Sequence, residues 1–233
     1  MDLFLQLFEL LKHVIDIFLH LDKHLTTLVN AAGPWTYVVL FLVIFAETGL
    51  VIIPFLPGDS LLFAVGAIAA LPEANLNLIL LMALMFIAAV LGDAVNYSIG
   101  KYLGPRVFSK DTGLLLNRNH LLKTQAFYDR HGGKTIILAR FIPIIRTFAP
   151  FIAGVGRMEY SKFARYNVIG AFAWVLPFTV AGYFFGNLPF VKESFHYVIL
   201  AIIILSVLPA VYEFMRSRQE QKIEVKVPGS SQP

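Results

Sequence analysis

Between Arg140 and Pro150 the chain reads RFIPIIRTFAP. Two arginines six residues apart and two prolines interrupt an otherwise apolar segment that contains no acid. The chain around it is 58% hydrophobic and 15% charged over 233 residues, with a mean hydropathy of +0.71. A soluble domain is nearer half apolar and about a quarter charged, so the composition reads as a polytopic membrane protein. A charge at mid-bilayer opposes insertion by roughly 2.5–3.5 kcal/mol, so both arginines must face the protein interior. Positions six apart on a straight helix point about 120° apart, so one continuous helix cannot present both to one site. Pro143 lies between them and supplies the break. Residues 135–156 are therefore expected to form a re-entrant hairpin, interrupted at Arg140, Pro143, Arg146 and Pro150.

The missing acids lie upstream. In GPWTYVVLFLVIFAETGLVI, which starts at Gly33, a run long enough to span carries Glu47 near its far end. IPFLPGDS then places Pro54, Pro57, Gly58 and Asp59 in close succession. The apolar run Ser60–Pro72 has 13 residues, against the roughly 20 that a spanning helix needs. A second re-entrant hairpin over about 54–72 follows. Pro54 and Pro57 separate Glu47 from Asp59 as Pro143 separates the arginines. Two acids against two arginines suggest pairing. Unpaired and lipid-exposed, four such charges would oppose insertion by about 10 kcal/mol.

The other segments frame these two. Residues 1–32 carry polar side chains at helical spacing (Gln6, Glu9, His13, Asp16, His20) on an apolar background. They read as an amphipathic helix, either lying in the membrane interface or packed on protein. Residues 74–92 are a charge-free span continuing through Asp93 toward Lys101. Residues 111–131 read as a surface helix ended by Gly132-Gly133. Residues 166–191 and 194–212 are two further spans. The membrane domain covers 33–215, and the basic tail 216–233 reads as disordered and cytoplasmic. Lys and Arg concentrate in 101–134 and in the tail, and the loop 71–77 has neither. The positive-inside rule puts the first two inside and the loop outside. The hairpins then enter from opposite faces, which is the pattern of an inverted-repeat transporter with a midplane site. The fold expected is all-α, with two opposed hairpins, transmembrane helices and an N-terminal interfacial helix.

Several classes are excluded or disfavoured. There are no cysteines, hence no disulfide, thiolate metal site or Cys nucleophile. Gly-x-Ser-x-Gly, His-Glu-x-x-His and phosphate-cradling Gly-Lys loops are absent, and no histidine pair has convincing metal spacing. No enzyme activity, metal or cofactor is expected. The basic stretches are cytoplasmic loops, so nucleic acid is not an expected partner. The charge cluster itself has two readings: ion pairs that staple the hairpins, or a site. Asp93, with Asn96 in GDAVNYSIG, is read either as a polar contact between helices or as part of that site.

Four segments carry a family resemblance: ETGLVIIPFLPGDSLLFAVGA, GDAVNYSIGKYLG, HGGKTIILARFIPIIRTFAPFIAGVGRM and YNVIGAFAW. Together they resemble the DedA family of bacterial membrane proteins, also described as SNARE-associated Golgi or VTT-domain proteins, over roughly residues 20–215. The resemblance implies a bacterial cytoplasmic-membrane protein with two opposed re-entrant hairpins. It also implies a role in proton-motive-force-dependent envelope homeostasis and in returning undecaprenyl phosphate across the membrane. The family's functional residues fall on Glu47 and Asp59, for proton coupling or charge pairing, and on Arg140 and Arg146, for lipid phosphate. Asp93, Pro54, Pro57, Gly58, Pro143, Thr147 and Pro150 support them. The expected partners are an anionic polyprenyl phosphate or phospholipid and protons, and a homo-oligomer is compatible with the sequence. A proton-coupled transporter of a small solute or ion, or a non-transporting scaffold, are the other readings.

Overall fold

The computed structural model describes residues 27, 29, 31–50, 58–107, 132–193, 197, 198 and 200–202. Residues 1–26, Pro54, Pro57, the helix expected over 111–131, most of the span 194–212 and the tail 216–233 lie outside them. Among the described residues there is no strand.

Helix α1 runs Trp35–Gly49, α2 Gly58–Ala69, α3 Leu78–Val107, α4 Lys134–Ala139, α5 Pro143–Val155, α6 Tyr160–Phe185 and α7 Pro189–Glu193; a 3-10 turn covers Pro72–Ala74. Gly33, with φ +53°, turns the chain before α1, as its lack of a Cβ allows. Two apolar stretches, Leu78–Leu103 and Tyr160–Phe185, are long enough to cross a membrane. At 26 residues each they measure about 39 Å against a hydrocarbon core of about 30 Å. Only a third of either apolar window is buried, which distinguishes them from the core helices of a soluble protein. Ile79 and Phe172 are 74% and 57% exposed, while five ionic side chains are buried. That inversion is what a lipid environment selects.

The remaining apolar helices are short. With 15, 12 and 13 residues, α1, α2 and α5 reach only about 18–22 Å. Three expectations are corrected here. The run after Pro34 is helical for 15 described residues, less than a full span. The expected span 166–191 starts six residues earlier and ends at Phe185, where Gly186 caps α6. Arg146 and Pro150 do not interrupt the second hairpin segment. The break falls at Arg140–Ile142, and Pro143 occupies the first position of α5, where a missing N–H costs nothing. Pro150 sits inside α5, which continues to Val155. It withholds the N–H that the Arg146 carbonyl would otherwise receive.

The packing is reciprocal. Helix α2, from the first half of the chain, packs on α6; α5, from the second half, packs on α3; α3 and α6 pack on each other. Glycine permits the first two of these approaches. A Cβ on Gly66 or Gly182 would collide with the backbone of α6 or α2, and one on Gly100 or Gly154 with that of α5 or α3. Small residues at crossings are how apolar helices associate where lipid offers no hydrophobic drive.

Candidate functional site

The crossing of short and long helices brings five charges together. Glu47 stands near the end of α1, 1% exposed, and its Oε1 accepts the Gly58 N–H at 3.1 Å. It thus binds a free amide of the first turn of α2, a position that favours negative charge. Asp59 lies in that same turn. Arg146, in the first turn of α5, donates through Nη1 to Asp59 Oδ1 at 2.9 Å and through Nη2 to Glu47 Oε1. A cation in a helix's first turn opposes the dipole, and the two carboxylates offset this.

Arg140 takes a different partner from the one the two-against-two count suggests. It caps the C-terminus of α4, donates to Asp93 Oδ2 of α3 at 2.5 Å, and also bonds Asn167 Oδ1 of α6. Asn167 in turn donates to the Val90 carbonyl at 3.0 Å. Asp93 is therefore a full member of the cluster rather than an accessory. The arithmetic is three acids against two arginines, all buried.

Trp174 of α6 joins the two halves. Its Nε1–H donates to Asp59 Oδ1 at 2.6 Å. The guanidinium carbons of Arg140 and Arg146 lie 5.9 and 5.1 Å from its ring centroid, within cation–π range. The structure puts Trp174 between both arginines, a placement that the sequence analysis did not single out. The signal available for it was an aromatic with a polar handle in a charge-free span. Asn167 had a plainer signal, an amide side chain well inside the same apolar span.

Asn96, buried one turn beyond Asp93, holds the frame. Its Nδ2 donates to the Thr48 carbonyl at 3.2 Å and the Thr147 carbonyl at 2.7 Å, tying α1, α3 and α5 together. Thr147 and Gly58 thus take part through their backbones. The described residues include no group of three or more His, Asp or Glu arranged to hold a metal.

Lipid-exposed apolar helices around a buried ionic centre define a helical membrane protein. Residues 56–184 match the VTT domain. The chain is 54% identical over 211 residues to "Protein DedA" of Escherichia coli K12, covering 91% of this chain and 96% of that one. It is 42% identical over 177 residues to an uncharacterized membrane protein of Mycobacterium tuberculosis H37Rv, covering 76% and 78%. It is 31% identical over 186 residues to "Inner membrane protein YghB" of E. coli K12, covering 80% and 81%. The chain belongs to the VTT-domain, or DedA, family of membrane proteins. No solved structure matches it.

Proposed function

We propose that the protein is a multi-pass transporter of the bacterial inner membrane that moves an anionic lipid phosphate, undecaprenyl phosphate or a relative, between leaflets, without covalent chemistry. The observation that carries this reading is the Arg146 guanidinium held by Glu47 and Asp59 at the meeting N-termini of two short helices. Arg146 presents a planar donor fork that suits a phosphate as well as a carboxylate. A phosphate that displaces the acids takes over those donors. In this reading the displaced acids, Glu47 and Asp59, are the groups that accept and release protons. Lipid movement and proton movement are thereby linked. Arg140, fixed by Asp93 and Asn167, contributes positive potential. In this reading α2 and α5 are the inner arms of two opposed re-entrant hairpins, and their reciprocal packing on α6 and α3 supports an inverted repeat. The C-terminus is cytoplasmic.

The purified protein in liposomes is expected to move undecaprenyl phosphate between leaflets, faster with an imposed proton gradient. Arg146→Ala abolishes this while Arg146→Lys keeps part. Unchanged transport by Arg146→Ala would refute the assignment.

A second reading, a proton-coupled transporter of a small anion, is favoured by the enclosure of the cluster, whose members are all buried. Gradient-driven anion flux without lipid movement would select it.

A further inference from the structure

A second polar site lies toward the end of α3. A cavity of about 650 Å³ opens there, lined by none of the five charges of the buried cluster. Lys101, Tyr102, Arg157 and Tyr160 face it, with one acid, Glu159, which accepts a hydrogen bond from Ser161. Lys101 and Arg157 are exposed, and neither has an ion-pair partner among the described residues.

The depth of the cavity is set by the helix that carries it. Lys101 and Tyr102 are among the last residues of the apolar stretch Leu78–Leu103. That is the level of lipid phosphates, where tyrosine and snorkelling cations collect. From the cavity a shallow apolar groove of about 490 Å³ follows α3 past Ile99, Val95 and Leu91. The two hollows share Ser98 and Tyr102. The spacing of 91, 95, 98/99 and 102 keeps the groove on one helix face, so a polar head and an apolar tail can lie end to end.

Arg157 adds an independent observation. Its N–H bonds the Gly154 carbonyl, and that of Met158 bonds the Ala153 carbonyl, both at 3.0 Å. These two bonds form the Schellman motif that closes α5, with Arg157 at the left-handed position, φ +53°. Glycine is the residue that position favours. A cation is welcome at a helix C-terminus, but any site in the last turn offers that without a left-handed backbone. What this position supplies is a guanidinium on the lining of the cavity that Lys101 also lines.

We propose that the cavity and groove form a docking site for a membrane phospholipid with an anionic headgroup. Lys101 and Arg157 hold the phosphate, the tyrosine hydroxyls border it, and one acyl chain lies along α3. The site does not depend on the buried cluster being a transport site.

The test uses the full-length protein in phosphatidylcholine vesicles containing spin-labelled phosphatidylglycerol or spin-labelled phosphatidylcholine. The fraction of each label immobilised by the protein is measured by electron paramagnetic resonance. Two basic groups at a membrane surface predict roughly a 30-fold preference for the anionic lipid. The Lys101→Gln/Arg157→Gly double variant should lose most of it with unchanged thermal stability, because glycine suits the left-handed position. Lys101→Arg/Arg157→Lys should retain it. Equal immobilisation of both lipids by the wild-type protein would overturn the proposal. So would an undiminished preference in the double variant, or displacement of the label by millimolar inorganic phosphate. A preference abolished by Arg146→Ala and untouched by the double variant would move the lipid to the buried cluster and also overturn it.

Discussion

Arg146 and Glu47 stand 99 residues apart in the chain and share a buried, hydrogen-bonded ion pair. The contact spans α1 and α5, helices from opposite halves of the protein, and each partner sits at an end of its helix. Glu47 also serves the first amide of α2. One carboxylate thereby joins three short helices, none of which is long enough to cross a membrane alone.

Removing that carboxylate should cost more than neutralising it. Glu47→Ala removes one of the carboxylates that hold Arg146 and leaves the Gly58 amide without its Glu47 acceptor. A loss of about 3 kcal/mol is expected, an apparent melting decrease of roughly 5–10 °C. Glu47→Gln keeps an acceptor for Gly58 and should lose about half as much. Thermal denaturation in detergent compares the two, and equal losses would show that the amide contact contributes nothing.

Arg140 and Asp93 should behave as one unit. A double-mutant cycle with Asp93→Asn and Arg140→Gln is expected to show a coupling of about 1–3 kcal/mol in stability. Asp59→Asn combined with Arg140→Gln should be closer to additive, since those residues share no direct bond. Full additivity of the first cycle would contradict the pairing.

Asn96 offers a test of donor against acceptor. Its amide donates to two carbonyls from two helices. Asn96→Leu takes the amide donor away from both carbonyls, at about 2 kcal/mol, whereas Asn96→Asp also turns a carboxylate toward them. The aspartate variant should be the less stable of the two at neutral pH, and chemical denaturation measures the order.

Trp174 separates ring from N–H. Trp174→Phe keeps an aromatic face for the arginines and removes the donor to Asp59. It should cost about 1–2 kcal/mol, and Trp174→Leu more, since the cation–π contacts go as well. If Phe and Leu are equally destabilising, the arginine contacts with the ring are energetically neutral.

Gly66 and Gly33 should respond to alanine for different reasons. At Gly66 a Cβ meets the Thr179 carbonyl, so Gly66→Ala must push α2 away from α6 and cost about 2–3 kcal/mol by overpacking. At Gly33 nothing lies within 4 Å, and only the left-handed backbone resists, at about 1 kcal/mol. A larger effect at Gly33 would reverse this.

Much of this was legible in the one-dimensional pattern. A charge in an apolar run is expensive in lipid, so Glu47, Asp59, Arg140 and Arg146 had to be inward, and they are. Proline and glycine beside short apolar runs marked the breaks around Pro54–Asp59 and Pro143, and α2 and α5 start within them, at Gly58 and Pro143. The 19 charge-free residues 74–92 anticipated α3. Pro150 misled, because a proline inside a packed helix removes one hydrogen bond without ending the helix.

What the sequence determined by itself was the environment and the list of charges that must be sheltered from it, because hydropathy and the cost of ionised groups in hydrocarbon are properties of local composition. Tertiary structure alone decided who pairs with whom. A helix apolar on all sides carries no stripe to say which face meets its neighbour. The rotation of α3 and α6, fixed by glycine crossings, therefore turned Asp93 and Asn167 onto Arg140 and set Trp174 between the two arginines, 5.9 and 5.1 Å from their guanidinium carbons.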